Sequence, residues 1–366
     1  MAMSGGVDSS VAAALLKKRG FSVRGVFIKT WSASLPCDQK QDRLDAMKVA
    51  LQLKIPFQTW DFSREYKRDV VDYMVSGYAE GITPNPDIMC NKYIKFGLFL
   101  ERALKEGADF IATGHYARIK REIRNPKSDH SPFPMGWVAQ PFSKGCGEIR
   151  KLLIGKDKNK DQSYFLWTLT QKQLQHCLFP IGEYTKPEVR KLAKKFGLHT
   201  VAQKKDSQGI CFLGKIDLRD FLEKRIGPKP GLILTVSGQK IGKHQGLSFY
   251  TIGQRKGIGL PGGPWFVAGK DLKKNVLVVT KSGKYLLKKE LVAENVNWVG
   301  GEPPKFPLEI KVKVRYLAPS TPALVDKKTK NGYKIQLVSP QRAIAPGQSA
   351  VFYKSGELLG GGVIAV

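Results

Sequence analysis

Acidic residues are scarce in this chain, 31 Asp and Glu against 61 Lys and Arg, which leaves a formal charge of +30. A surplus that large calls for a polyanionic partner. Nucleic acid is expected ahead of an anionic membrane, because no basic amphipathic helix dominates. Long apolar runs are missing too: nothing approaches the roughly 18–20 consecutive apolar residues of a membrane span, so no membrane partner is expected. Cysteine is sparse, with Cys37, Cys90, Cys146, Cys177 and Cys211 widely spaced, odd in number and without a CxxC pair. That excludes a secreted disulfide framework and a structural zinc site, and points to a reducing, cytoplasmic setting. No secretory leader and no internal repeat is read.

What is present begins with Ser4-Gly5-Gly6-Val7-Asp8-Ser9-Ser10, followed by a helical run from Val11 to Arg19 that Gly20 ends. Paired glycines let backbone amides close on an anion, and a helix N-terminus favours negative charge. The stretch is neither a GxGxxG dinucleotide turn nor a GxxxxGK[ST] loop. Beyond it, Phe21 to Thr30 reads as a strand, Asp42 to Lys54 as a helix, Phe57 to Phe62 as a strand and Arg64 to Glu80 as a helix. Thr83 to Asn91, with Pro84 and Pro86, predicts a stiff extended loop ahead of a helix from about Tyr93 to Leu104. Ala108 to Thr113 is a further strand, delivering Gly114-His115-Tyr116. Alternating strands and helices predict an α/β fold with a doubly wound parallel sheet, its ligand beyond the carboxyl ends of the strands.

Residues 121 to 150 lack periodicity and read as an exposed basic excursion. Thr185-Lys186-Pro187-Glu188 is a capping box opening a basic helix that Gly197 closes. After the polar loop from Lys204 to Phe212, glycine and proline become frequent and β patterns short. From Leu308 onward the alternation of Leu308, Ile310, Val312 and Val314 with charged residues is that of a half-buried strand. With turns at Asn331-Gly332 and Ser355-Gly356, it predicts a small β-barrel. The expected division is a nucleotide-binding catalytic domain over 1–203, a small β-rich central domain over 204–290 and a C-terminal β-barrel over 291–366.

Two thiols stand apart. Cys90 follows the proline-rich loop and opens a helix, where the N-terminal dipole favours thiolate; Cys211 lies in a glycine-containing loop beside Lys204 and Lys205. The other three are placed among buried small hydrophobes. Spacing does not pair Cys90 with Cys211; only a fold brings them together.

The first loop resembles the SGGxDS signature of the PP-loop ATP pyrophosphatases. MSGGVDSS, TPNPDIMCNKYIKF, ATGHYAR, KDQSYFL, KKDSQGICFLG, GKHQG, YTIGQRKG and VRY together, in this order, resemble the tRNA-specific 2-thiouridylase family, from Met3 to the final strands. The resemblance implies an ATP-dependent sulfurtransferase that adenylates C2 of the tRNA wobble uridine and replaces the oxygen with persulfide sulfur. It implies ATP contacts at Ala2, Met3, Ser4, Gly5, Gly6, Val7, Asp8, Ser9, Ile28 and Gly114. Asn85, Pro86 and Asp87 would meet the target base, with Asp87 as acid/base, Cys90 as nucleophile and Cys211 as persulfide carrier. His115, Lys160, Asp161, Gln162, Arg315, Tyr316 and Gln348 match tRNA-contacting positions. Further implied are Mg²⁺ with ATP, although no carboxylate cluster marks its ligands, and a persulfide donor, either a sulfur-relay protein or a cysteine desulfurase. A monomer acting on tRNAs for Lys, Glu and Gln is expected. The family opens on a full strand ahead of the SGG loop; only Met1-Ala2-Met3 precedes it here, predicting a shortened central strand and a loosened loop. Two other readings stay open: another PP-loop adenylating ligase, indifferent to Cys90 and Cys211, and a tRNA-binding homologue that consumes no ATP.

Overall fold

The computed structural model describes residues 1–33, 37–123, 148–204, 212–214 and 216–365. Its N-terminal part is a parallel sheet. Strand β1 (Gly25–Lys29) pairs in parallel with β2 (Phe57–Asp61), and β3 (Ile111–Ala112) pairs in parallel with a later short strand, Cys177–Leu178. Met1–Met3 joins the two halves. Met3 N donates to Val26 O at 2.8 Å, Val26 N to Met1 O at 2.9 Å, and Ala2 N to Ala112 O at 2.9 Å. The short leading segment is thus hydrogen-bonded on both sides, with Met3 buried.

Adjacent strand residues split between two cores, as they must when successive side chains point to opposite faces. Val26, Ile111 and Cys177 enter one, with Tyr66, Met74, Ile94 and Phe99. Phe27, Ala112 and Met3 enter the other, with helix α1 (Val7–Lys18) and part of α2 (Cys37–Gln52). Helices therefore cover both faces, and the doubly wound α/β expectation holds. The strands are shorter than their apolar runs suggest: Phe21–Thr30 yields Gly25–Lys29 and Ala108–Thr113 yields Ile111–Ala112. Beyond β3, Thr113 N still donates to Leu178 O at 3.2 Å before the chain turns into the next strand.

Helix α3 runs over 63–79, its middle turns (Lys67–Asp72) being π-helical. Helix α4 runs over 86–105 and corrects the sequence expectation of an extended segment up to Asn91. It opens at Pro86, because Asn85 caps it through a side-chain oxygen 3.3 Å from Ile88 N, and proline is suited to the first turn. Asn85-Pro86 is a start signal here, not a break. From Cys90 to Leu98 the helix takes π geometry, an arrangement frequent at functional sites. The capping box at Thr185–Glu188 forms as expected and opens α5 (Lys186–Lys195).

Strands β4 (Ala117–Ile123) and β5 (Glu148–Ile154) pair antiparallel, so the two ends of the predicted excursion, 121–123 and 148–150, are sheet rather than loop. Residues 124–147 lie outside the described residues. β5 then pairs with the final strand at Leu152↔Leu358 and Leu153↔Glu357, bonding the first domain to the last.

With Cys177–Leu178 as β6, the central part holds β7 (Gly231–Thr235), β8 (Lys240–His244), β9 (Phe266–Asp271) and β10 (Val276–Thr280) in the order β8-β7-β10-β9. The last part is a closed six-stranded barrel of β11 (Leu287–Trp298), β12 (Leu308–Lys313), β13 (Thr321–Lys328), β14 (Gly332–Arg342), β15 (Ser349–Lys354) and β16 (Glu357–Ile364). Their order is β11-β14-β13-β12-β15-β16, and β16 returns to β11 at Ala293↔Ile364, so no edge is left open. In β12, Leu308, Ile310 and Val312 are buried and Glu309 and Lys311 exposed, the period of two that the sequence shows.

Candidate active site

Two mouths lie on the first domain. One is the N-terminus of α1. Gly5 has φ +73°, and a Cβ there would collide with the Asp42 carbonyl oxygen, so the turn admits only glycine. Gly6, extended at the N-cap, adds no side chain of its own, leaving the leading amides of α1 in the arrangement an anion takes. Ser9 Oγ accepts from Ser4 N at 3.1 Å and Ser10 Oγ donates to Gly6 O at 2.8 Å, which stiffens the loop rather than loosening it. Gly114 lies against it: a Cβ would sit 2.8 Å from Ser9 N. Met3 and Val7 point into the core, so only their backbones are available to a nucleotide. Ala2 is engaged in the sheet, and Ile28 lies one residue from the carboxyl end of β1, on the edge where α1 starts.

Charges around this mouth come from far along the chain. Lys186 Nζ, at the start of α5, lies 2.9 and 2.8 Å from the two Asp8 carboxylate oxygens, and Tyr116 OH donates to Asp8 at 2.7 Å. Lys204 Nζ donates to Gly5 O at 3.1 Å and pairs with Asp42 and Asp45, each at 2.7 Å. Those carboxylates hold its ammonium above the usual lysine range, against the opposing pull of burial. An amide-lined glycine turn with lysines on its rim fits the phosphates of a nucleotide. Among the described residues no group of three or more His, Cys, Asp and Glu gathers as a metal site.

The second mouth is the N-terminus of α4. Asp87 and Cys90, three residues apart, share one face of its first turns. Cys90 is buried at 6% exposure, while Asp87 keeps part of its surface in solvent. Burial nevertheless pushes the Asp87 carboxyl up from its ordinary range, opposed by Lys95, so it retains a proton more readily than a surface aspartate. Cys211 lies outside the described residues, as do Cys146 and Lys205. Cys177 is a structural thiol: it donates to Gln173 O at 3.1 Å, and complete burial raises its pKa far beyond the working range.

All three parts of the molecule grip the segment leading into α4. Gln348 Nε2 donates to Thr83 O at 2.9 Å, and Thr83 N donates to Pro346 O at 2.9 Å, both from the barrel. From the central part, Thr251 Oγ1 lies 3.3 Å from Thr83 Oγ1, and Lys270 Nζ donates to Gly81 O at 2.9 Å, its pKa lowered to about 8 by burial. Gln348 is thereby brought to the Asn85-Pro86-Asp87 segment from the other end of the chain.

The remaining candidates fall into two sets. Asp161 and Tyr316 line one cavity of about 350 Å³ between the first domain and the barrel, with Lys158 and Lys313 on its wall. Asp161 also accepts from Gly155 N and Ser163 N, and Gln162 exchanges hydrogen bonds with the Tyr116 backbone, so both also hold the chain in place. Lys160 adjoins them, its amide bonded to Asp157 O. Arg315 donates to Ile252 O at 2.8 Å. His115 stands apart. It is buried, 2.7 Å from Thr113 Oγ1 and packed between Phe96 and Phe179, and burial ahead of Lys95 drives its pKa well down, so it is neutral at pH 7. Sequence reasoning missed Lys186 and the clasp at Asp8. A capping box announces a helix start, not a lysine that reaches another helix.

The profile described as "tRNA methyl transferase HUP domain" matches residues 1–215, "tRNA methyl transferase PRC-barrel domain" residues 219–281, and "Aminomethyltransferase beta-barrel domain" residues 288–364. The tRNA-specific 2-thiouridylase MnmA of Marinomonas sp. (strain MWYL1) is 44% identical over 375 residues, covering 100% of this chain and 90% of the relative. The chain belongs to the tRNA-specific 2-thiouridylase family. The protein named tRNA-specific 2-thiouridylase MnmA 2 of Geobacillus kaustophilus (strain HTA426) is 44% identical over 369 residues, 99% of this chain and 93% of the relative. That named tRNA-specific 2-thiouridylase MnmA of Nitrosomonas eutropha is 44% identical over 373 residues, 99% of this chain and 96% of the relative. Family membership therefore spans both mouths and the barrel that grips the second.

Proposed function

We propose that this protein is an ATP-dependent tRNA-uridine 2-sulfurtransferase that makes 2-thiouridine at the wobble position. The observation that carries the reading is the α4 mouth, where an aspartate of raised pKa and a buried cysteine share one helical face, in a chain whose full-length relatives are named 2-thiouridylases. Bound ATP, with Mg²⁺, supplies the activation that turns the uridine C2 oxygen into a leaving group. The chain's part is to hold its phosphates on the leading amides of α1, with Lys186 keeping Asp8 in place. Asp87, protonated more readily than usual, shuttles a proton at the target base.

Cys211 carries the persulfide. Its outer sulfur forms the bond to C2 as the activated oxygen leaves. The Cys90 thiolate then attacks the Cys211 sulfur, the S–S bond breaks, and its electron pair stays on the new thiocarbonyl sulfur. Attack by Cys90 before sulfur reaches C2 would instead release sulfide in place; both routes end in a Cys90–Cys211 disulfide that a thiol reductant reopens. His115, Lys160, Asp161, Gln162, Arg315, Tyr316 and Gln348 bind or position the tRNA. The persulfide comes from a sulfur-relay protein or cysteine desulfurase, the substrates are tRNAs for Lys, Glu and Gln, and the protein works as a cytoplasmic monomer. Among the described residues, no helix is long and apolar enough to cross a membrane.

The test is nucleoside mass spectrometry of tRNA incubated with ATP, Mg²⁺, a persulfide donor and the wild type, Cys90→Ser or Cys211→Ser. Wild type yields 2-thiouridine, and each variant loses on the order of a thousandfold or more in rate while still binding tRNA. A variant that thiolates like wild type, or methylation in place of thiolation, refutes the assignment.

A further inference from the structure

The loop from Thr251 to Phe266 encloses an open cavity of about 430 Å³ lined by Arg255, Ile258, Leu260, Pro264 and Trp265, with glycines on the rim. The cavity is a built feature. Gln254 braces the loop, accepting from Thr251 N and donating to Lys256 O, both at 2.9 Å. Gly257 and Gly259 take φ +74° and +75°, and a Cβ on Gly259 would meet nothing, so backbone conformation rather than crowding selects glycine there. Trp265 Nε1 donates to Pro261 O at 2.9 Å, which fixes the indole, and Lys281 Nζ lies 4.8 Å from its ring centroid. Gly257 to Gly262 has GxGxxG spacing, but a strand, not a helix, follows it, so the context of a dinucleotide turn is missing.

Charge and position narrow the ligand. Between residues 226 and 289 there are twelve Lys and Arg and a single acid, Asp271. The loop springs from the three-way junction: Thr251 touches Thr83 and Ile252 holds Arg315. An immobilised aromatic ring with cations beside it is the usual platform for an unpaired base, whose π face stacks while its phosphate meets the cations. We propose that this pocket takes one unpaired nucleotide of the RNA substrate, its base on Trp265 and its phosphate against Arg255 and Lys281. It would hold RNA beside the target-base segment, and it rests on the tRNA reading above.

The test measures affinity of the full-length protein for a wobble-uridine tRNA transcript across a salt series, and separately for AMP. Trp265→Ala binds tRNA at least about fivefold more weakly with an unchanged salt slope, and Trp265→Phe recovers most of the loss. The double variant Arg255→Gln, Lys281→Gln lowers the slope by about one to two, as expected for lost phosphate contacts. Equal tRNA binding by Trp265→Ala and a wild type that binds and thiolates overturns the pocket alone. A Phe variant as weak as the Ala variant overturns stacking, and AMP binding that needs Trp265 while tRNA binding does not overturns the RNA assignment. A wild type without tRNA affinity overturns both readings.

Discussion

The α1 mouth and the α4 mouth sit on the same domain, yet they are built in opposite ways. The first takes its shape from contiguous residues: Gly5 turns the chain, Gly6 opens the helix, and Ser4, Ser9 and Ser10 bond within the loop. Distant residues contribute charge to it, through Lys186 and Lys204. The second takes only its helix start from local sequence, through the Asn85 cap. Its approach segment is held by Thr251 and Lys270 of the central part and by Pro346 and Gln348 of the barrel. On the proposed function, the loop-built mouth takes the nucleotide and the mouth tied to all three parts takes the tRNA.

If that contrast is right, damage should stay on its own side. Among the substitutions that probe this contrast, Lys186→Met should have the largest effect, because it leaves the Asp8 carboxylate at the α1 mouth with Tyr116 and without its cation. A loss of about 1–3 kcal/mol is expected, read as a raised KM for ATP and a lowered melting temperature, with tRNA affinity unchanged. Equal losses of ATP and tRNA binding would break the comparison. Gln348→Ala removes one hydrogen bond to Thr83 and should cost about 0.5–1.5 kcal/mol. Steady-state kinetics should show it in thiolation rate and KM for tRNA, leaving KM for ATP as in wild type.

The smallest effect is expected from Asp87→Asn on stability, whatever it does to catalysis. Burial raises the carboxyl above its ordinary 3.8, so the fold favours the protonated form. Below the ordinary range, both folded and unfolded chains are protonated and nothing is lost; as pH rises the unfolded chain ionises first and stability falls. The variant should therefore melt above wild type at neutral pH, and the gap should close as pH is lowered toward about 4. A variant that melts below wild type at neutral pH, with the difference vanishing in acid, would mean the carboxylate is stabilised by a partner.

Much of the first mouth was legible because its residues are neighbours. Glycine at a left-handed position and serines within hydrogen-bonding reach leave a local mark. The start of α4 was misread for a physical reason: proline breaks a helix in its interior and suits it in the first turn, and the Asn85 side chain decides which applies. The β4–β5 pair was missed because Glu148–Ile154 is mostly half-exposed and stabilised by pairing with β4 on one side and β16 on the other. Edge strands that gain their partner from another domain carry little periodicity of their own.

By itself the sequence determined the class of fold, the cationic character, the glycine turn that opens the first helix and the barrel. Backbone conformation, helix capping and the period of burial act over a few residues and are written in order along the chain. Only the tertiary structure decided that Lys186 meets Asp8, that Gln348 reaches Thr83, and that His115 is buried and neutral. Those outcomes depend on which surfaces exclude water together. That is a property of the packed molecule, because burial sets both the strength of a contact and the charge of the groups within it.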